Sequence, residues 1–211
     1  QGLIGDGIQR CVDLGRGSHG WANESQRSIE SNDIDCLLSV ADEVARLLEA
    51  PSEGEYARWL RESVGSLTVQ DSNILDAIHG LDILIATTNY DSLLANHLSL
   101  PTVTWCQHSD LERVIRRDMN AIVHLHGHWA QPQSVVFDRP SYVRLLADGH
   151  ASAILRSLRT VKSFLYIGYG SGLSDPNFGE LLRWSRETFS GSEYRHYRLV
   201  RNDRVNEVQA Q

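Results

Sequence analysis

Lysine is almost missing from these 211 residues, and Lys162 is the only one. No Gly-x-x-x-x-Gly-Lys-Ser/Thr loop exists either, which excludes a P-loop nucleotidase. Cysteine is scarce as well. Cys11, Cys36 and Cys106 are far apart, odd in number and never in a Cys-x-x-Cys pair. That pattern gives no zinc site and fits a reducing, cytoplasmic compartment. No apolar run approaches the roughly 18–20 residues needed to span a bilayer, and the first residues carry no signal-peptide pattern. The chain shows no internal repeat and no low-complexity tract. A net charge of −7 argues against a general nucleic-acid-binding surface. What remains is an ordinary globular composition, 41% hydrophobic and 22% charged, long enough for one large domain or a core with a helical insertion. Because the chain starts at Gln1 within an amphipathic pattern, it is expected to be a segment of a longer protein.

Apolar residues at Leu3, Ile4, Ile8, Cys11, Val12 and Leu14 have helical spacing. The following "GRGSHGWANESQRSIESND" is expected to be a polar loop. Residues 33–49 read as a helix with Leu37, Leu38, Ala41, Val44, Leu47 and Leu48 along one stripe. A second helix is expected after Pro51, with Tyr56, Trp59, Leu60 and Val64 inward, and a third over 71–79, stopping at Gly80. From residue 82 the pattern becomes alternation. Strands are expected at 82–87, 102–105, 121–126, 134–137, 163–168 and 196–201. Helices fall at about 91–98, 109–118, 140–160 with a break near Gly149, and 176–190. Such alternation means βαβ units and a mainly parallel sheet.

Three strand ends carry chemistry. "ILIATTNYDSLL" (83–94) runs from a strand expected to be buried on both faces into Thr87, Thr88, Asn89, Tyr90 and Asp91. Open α/β folds bind ligands at such carboxyl ends; as a plain structural turn, Asn89 or Asp91 would only cap the next helix. "IVHLHGHW" (122–129) places His124 and His126 on one strand face and lets Gly127 turn the chain. Carboxylate or cysteine partners at metal-site spacing are absent nearby, so no metal is expected. "LYIGYGSGLSDPNF" (165–178) is a strand entering a glycine-rich turn before a helix, a shape that brings backbone N–H groups close to phosphate or ribose. By contrast "GRGSHG" (15–20) matches Gly-x-Gly-x-x-Gly only formally. A helix leads into it and a polar loop leads out, so it is not a dinucleotide fingerprint.

In this order, the "TTNYD", "LHG" and "IGYGSGLSD" strand ends resemble the sirtuin-like family, specifically its bacterial branch that hydrolyses NAD in antiphage defence. The resemblance covers about residues 82–200. It implies a Rossmann-like α/β domain with a mainly parallel sheet over about 82–201 and a helical subdomain over about 30–80, the whole of 1–211 forming a single domain. It further implies that Asn89, His126 and Asp91 are catalytic and that Thr87, Thr88, Gly168, Gly170, Ser171 and Asp175 bind the cofactor. The family's opening Gly-Ala-Gly-x-Ser loop is not found, so its phosphate contacts have no counterpart to name. A four-cysteine zinc module, usual in protein-deacylating sirtuins, cannot be built from three scattered cysteines.

The expected activity is hydrolysis of the nicotinamide–ribose bond of NAD, giving nicotinamide and ADP-ribose. A non-catalytic NAD or ADP-ribose binding module is the alternative, and an NAD-dependent protein deacylase the third reading. NAD is expected as substrate, with no metal, no membrane and no direct nucleic-acid partner. A homo-oligomer is expected, motivated by the resemblance and by Trp59, Trp129 and Trp184, as is a regulatory domain or partner that senses phage. Within "HLHGH", His124 and His128 are expected to be dispensable.

Overall fold

The computed structural model describes residues 2–31, 33–49, 54–168, 179, 193 and 195–201. The chain divides into two compact units, residues 1–147 and 148–211, which are taken in turn.

The first unit opens with a helical layer. It contains α1 (Gly2–Asp13), α2 (His19–Glu30), α3 (Ile34–Glu49) and α4 (Glu55–Leu60), which runs on into a π-helical turn at Arg61–Gly65. Ile8, Cys11, Ile29, Val44, Leu48, Trp59 and Leu60 meet in one buried cluster. Gly7 permits the close crossing, because a Cβ there would lie 2.6 Å from Val44 Cγ1.

The segment expected to be a loop after residue 15 instead contains α2. Ser18, in extended conformation, caps it by accepting from Trp21 N at 3.1 Å. Its inward stripe is Trp21, Ser25 and Ile29 at i, i+4 and i+8, and the polar middle member hides the period. "GRGSHG" has a structural job. Gly15 takes φ +66 to end α1, and Arg16 Nη1 donates to the carbonyls of Leu47 and Leu48 at 3.0 Å, capping α3.

The expected helix over 71–79 is α5 (Asn73–His79), and the alternation follows as β1 (Ala86–Thr87), α6 (Leu93–Leu98), β2 (Thr102–Thr104), α7 (His108–Ile115), β3 (Ile122–His124) and α8 (Arg139–Ala147). The strands form a parallel sheet in the order β1-β3-β2. Thr87 pairs with His124, and Thr104 pairs with His124 from the other side. This is a Rossmann-like α/β arrangement of helices and parallel strands.

Two strand expectations need correction. The run 82–87 is paired only at Ala86–Thr87, and it is not buried on both faces, since Ile83 is 47% exposed. Among the described residues β1 pairs with β3 alone, which leaves it at a sheet edge. Residues 134–137 are not a strand. Pro132–Ser134 is a short 3₁₀ turn, after which Val135, Val136 and Phe137 fill the core as irregular backbone. Their apolarity reflects burial without a ladder.

In the second unit, α9 (Gly149–Val161) begins where the break near Gly149 is expected. Asp148 caps it by accepting from Ala151 N at 2.7 Å. Strands β4 (Leu165–Tyr166) and β5 (Tyr197–Arg198) pair in parallel. The helix expected at 176–190 lies, apart from Gly179, outside the described residues.

Candidate functional site at the strand ends

The carboxyl ends of β1 and β3 build the candidate site. Thr87 and His124 are register partners, so Asn89 and His126 each stand two residues beyond the same rung on neighbouring strands. Leu125 N donates to Thr87 O at 2.8 Å, which extends the ladder one step past the strands.

Asn89 is held by its backbone. Its N–H donates to Thr87 Oγ1 at 3.0 Å and its carbonyl accepts from His124 Nδ1 at 2.9 Å. Its side chain is exposed and makes no hydrogen bond among the described residues. The helix-cap role falls to its neighbours. Asp91 Oδ1 accepts from Leu93 N at 2.9 Å, while Ser92 occupies the cap position without a cap hydrogen bond of its own. Thr88 is part-buried beside Thr87. Tyr90 reaches across to donate from its hydroxyl to Val136 O at 2.6 Å.

The histidines do not share a face as strand periodicity predicts. Strand β3 ends at His124 and residues 125–126 already turn. His124 therefore meets His128, ring centroids 4.7 Å apart, whereas His126 packs edge-on against Tyr142 of α8 at 5.8 Å. All three are buried, at 1%, 5% and 5% exposure. Gly127 sits at φ +87, and a Cβ there would overlap the Ser134 carbonyl, so only glycine fits this turn. Val136 N donates to His126 O at 2.8 Å, closing the excursion that the turn begins.

Hydrogen-bond partners fix two tautomers. A carbonyl can only accept, so the His124 hydrogen is on Nδ1, facing Asn89 O. Ala130 N donates to His128 Nδ1 at 3.3 Å, so the His128 hydrogen is on Nε2, facing Ser92 Oγ at 2.8 Å. Ser92 Oγ also accepts from Trp129 Nε1 at 2.8 Å. Burial pushes the His128 imidazole down to about 4, helped by the neighbouring His124. Burial also lowers His124, opposed by its bond to Asn89 and by the charge of Asp91. Both rings are neutral at pH 7.

The end of β2 adds a polar network. Gln107 Oε1 accepts from Thr104 N at 3.0 Å and from Gln131 Nε2 at 3.2 Å, while the Thr104 hydroxyl donates to Gln131 Oε1 at 3.1 Å. Sequence reasoning passed over this strand end, although "TWCQ" ends a short apolar strand in polar groups just as "TTNYD" does. It also passed over Ser92 and Tyr142; nothing in a helical pattern marks Tyr142 as a neighbour of His126.

The remaining expected residues divide. Gly168 has φ +74 with open space where a Cβ would be, a left-handed turn after β4. Gly170, Ser171 and Asp175 lie outside the described residues. The cysteines are free thiols, with Cys11 buried and pushed up to about 11 by that burial. Of the tryptophans invoked for an oligomer, Trp59 is 1% exposed and Trp129 packs against the same helical core; Trp184 lies outside the described residues. No helix among the described residues is long and apolar enough to cross a membrane.

A parallel α/β sheet whose adjacent strands end in an exposed asparagine amide and a buried histidine is a Rossmann-like arrangement, a fold class that takes ligands at the carboxyl ends of its strands. The SIR2-like domain family model matches residues 83–211. The match spans more than half the chain, and the protein belongs to this sirtuin-like, NAD-related family.

Proposed function

We propose that the domain hydrolyses NAD at the nicotinamide–ribose bond, releasing nicotinamide and ADP-ribose, and that it depletes NAD in antiphage defence. The observation that carries the reading is the shared rung Thr87–His124, with Asn89 and His126 two residues beyond it and the Asn89 amide free of structural hydrogen bonds. An exposed amide that the fold does not use is available to a ligand.

In this reading the C1′–N bond breaks with its electron pair passing to the pyridinium nitrogen, so nicotinamide departs neutral and no general acid is needed. The sugar left behind is oxocarbenium-like, and water attacks C1′. Asn89 orients that water or the ribose, and His126 takes the proton. Asp91, whose Oδ1 is held by Leu93 N, holds the nicotinamide side of the cofactor in this reading. Thr87, Thr88, Gly168, Gly170, Ser171 and Asp175 hold the rest of the dinucleotide. The same reading carries a homo-oligomer and a phage-sensing domain or partner, because unrestrained NAD loss would harm the host.

Nicotinamide release by the full-length protein, with and without an acylated peptide, tests it. Release from NAD alone is expected. Binding without release would favour a signalling module, and release only with the peptide would favour a deacylase.

A further inference from the structure

His124 is the most deeply buried member of "HLHGH", at 1% exposure, and the fold uses it in an unusual way. Its Nδ1–H crosses from the end of β3 to the carbonyl of Asn89. The peptide groups around Asn89 are tied at three points: Asn89 N to Thr87 Oγ1, Asn89 O to His124, and Tyr90 O to Trp129 N at 3.0 Å. The His124 tie comes from a side chain at the end of β3, and the Trp129 tie from backbone beyond that strand. Turning the peptide that follows Asn89 requires that this bond break, so the bond holds the turn from which the amide projects.

The imidazole also carries a cost. Its Nε2 lone pair is buried with no hydrogen-bond partner among the described residues. A leucine of similar volume would fill the space without that desolvation penalty. Packing alone therefore does not account for a histidine at this place, whereas fixing the Asn89 carbonyl does.

The geometry points to His124 as a positioning residue, which acts through Asn89 and never touches substrate. It is not the dispensable histidine expected when the resemblance assigns the catalytic role to His126. The inference rests on the proposed placement of Asn89 in the site, and its test separates the two.

The full-length protein is compared with His124→Leu, which removes the donor, and His124→Asn, whose amide nitrogen takes the place of Nδ1. Nicotinamide release is followed at saturating and limiting NAD, and backbone ¹⁵N relaxation at Asn89 is measured together with the histidine ring nitrogens of the parent protein. His124→Leu is expected to lower kcat by about ten- to a hundredfold with KM little changed, the scale of a misplaced reacting group. His124→Asn restores most of that loss, and the parent ring shows the Nδ1–H tautomer. Asn89 becomes mobile in the leucine variant and ordered again in the asparagine variant. Full turnover in His124→Leu overturns the inference. So does an Nε2–H tautomer or an Asn89 equally ordered in both variants, and these two outcomes decide it even if the parent protein releases no nicotinamide.

Discussion

The helical layer and the strand ends spend their polar groups differently. In the helical layer nearly every polar side chain at a helix contact is consumed by the fold. Arg10 pairs with the buried Glu55, Trp21 Nε1 donates to Glu43 at 2.7 Å, Trp59 Nε1 donates to Asp6 at 2.8 Å, and Arg139 of α8 grips Asp42 of α3. At the strand ends the backbone is equally well tied, yet the exposed Asn89 amide makes no hydrogen bond among the described residues. Buried or constrained polar groups that the fold leaves unused mark where a ligand enters the hydrogen-bond account. In the proposed function the helical layer is scaffold and the strand ends are machinery.

Breaking the scaffold should give the largest effect on stability and none on chemistry. Trp59→Ala removes an indole that is 1% exposed, and denaturant unfolding should show a loss of about 3–5 kcal/mol. NAD turnover per folded molecule should hold. A loss of chemistry is expected of Asn89→Ala and His126→Ala. Each should cut nicotinamide release on the order of a hundredfold, equivalent to about 3 kcal/mol of barrier. For Asn89→Ala the melt should scarcely move, because its side chain makes no structural bond. Near-normal turnover in either variant would overturn the site.

A smaller, pH-dependent effect is expected at the strand ends. His128 titrates near 4 when folded and near its ordinary 6.5 when unfolded. Between those values the unfolded chain takes up the proton and the native state does not. The stabilisation is complete above 6.5 and falls as pH drops toward 4, by about 2 kcal/mol at pH 5. His124, lowered for the same reason, adds in the same direction. Urea unfolding at pH 7.5 and 5 should show this loss in the parent and a flatter dependence in His128→Gln. Least of all, Asp91→Ala should cost about 1 kcal/mol through its lost bond to Leu93 N. A turnover loss beyond that destabilisation would give Asp91 a part in the chemistry as well as in the turn.

Sequence made the strand ends visible because two rules act locally there. A short apolar run ending in polar residues reads as a parallel strand reaching its edge, and Gly127 reads as a forced turn. Hence Asn89 and His126 were expected just beyond two neighbouring strands, where the chain places them, and α3, α6, α7 and the α8–α9 break followed from spacing and caps. Partnerships were not legible. Period-two reasoning put His124 and His126 together, but β3 stops at His124, so the turn sends His126 to Tyr142 and His128 back to His124. Helix α2 escaped because its buried stripe includes Ser25, 5% exposed yet polar. Val135 to Phe137 misled for the opposite reason. Their apolarity serves the helical layer, a destination far away in sequence.

That destination affects how the chain is made. The core of the helical layer closes only with Val135 and Phe137, whose ring meets Trp59 at 5.3 Å and Tyr56 at 6.4 Å. A ribosome that has finished Leu60 must still synthesise the segment through Phe137, on the order of ten seconds at ordinary elongation rates. During that interval the nascent helices expose the indole of Trp59 and its aliphatic neighbours with nothing to cover them. The layer emerges before the segment that completes it, which ties the birth of the scaffold to the arrival of the chain that follows the strand carrying the histidines.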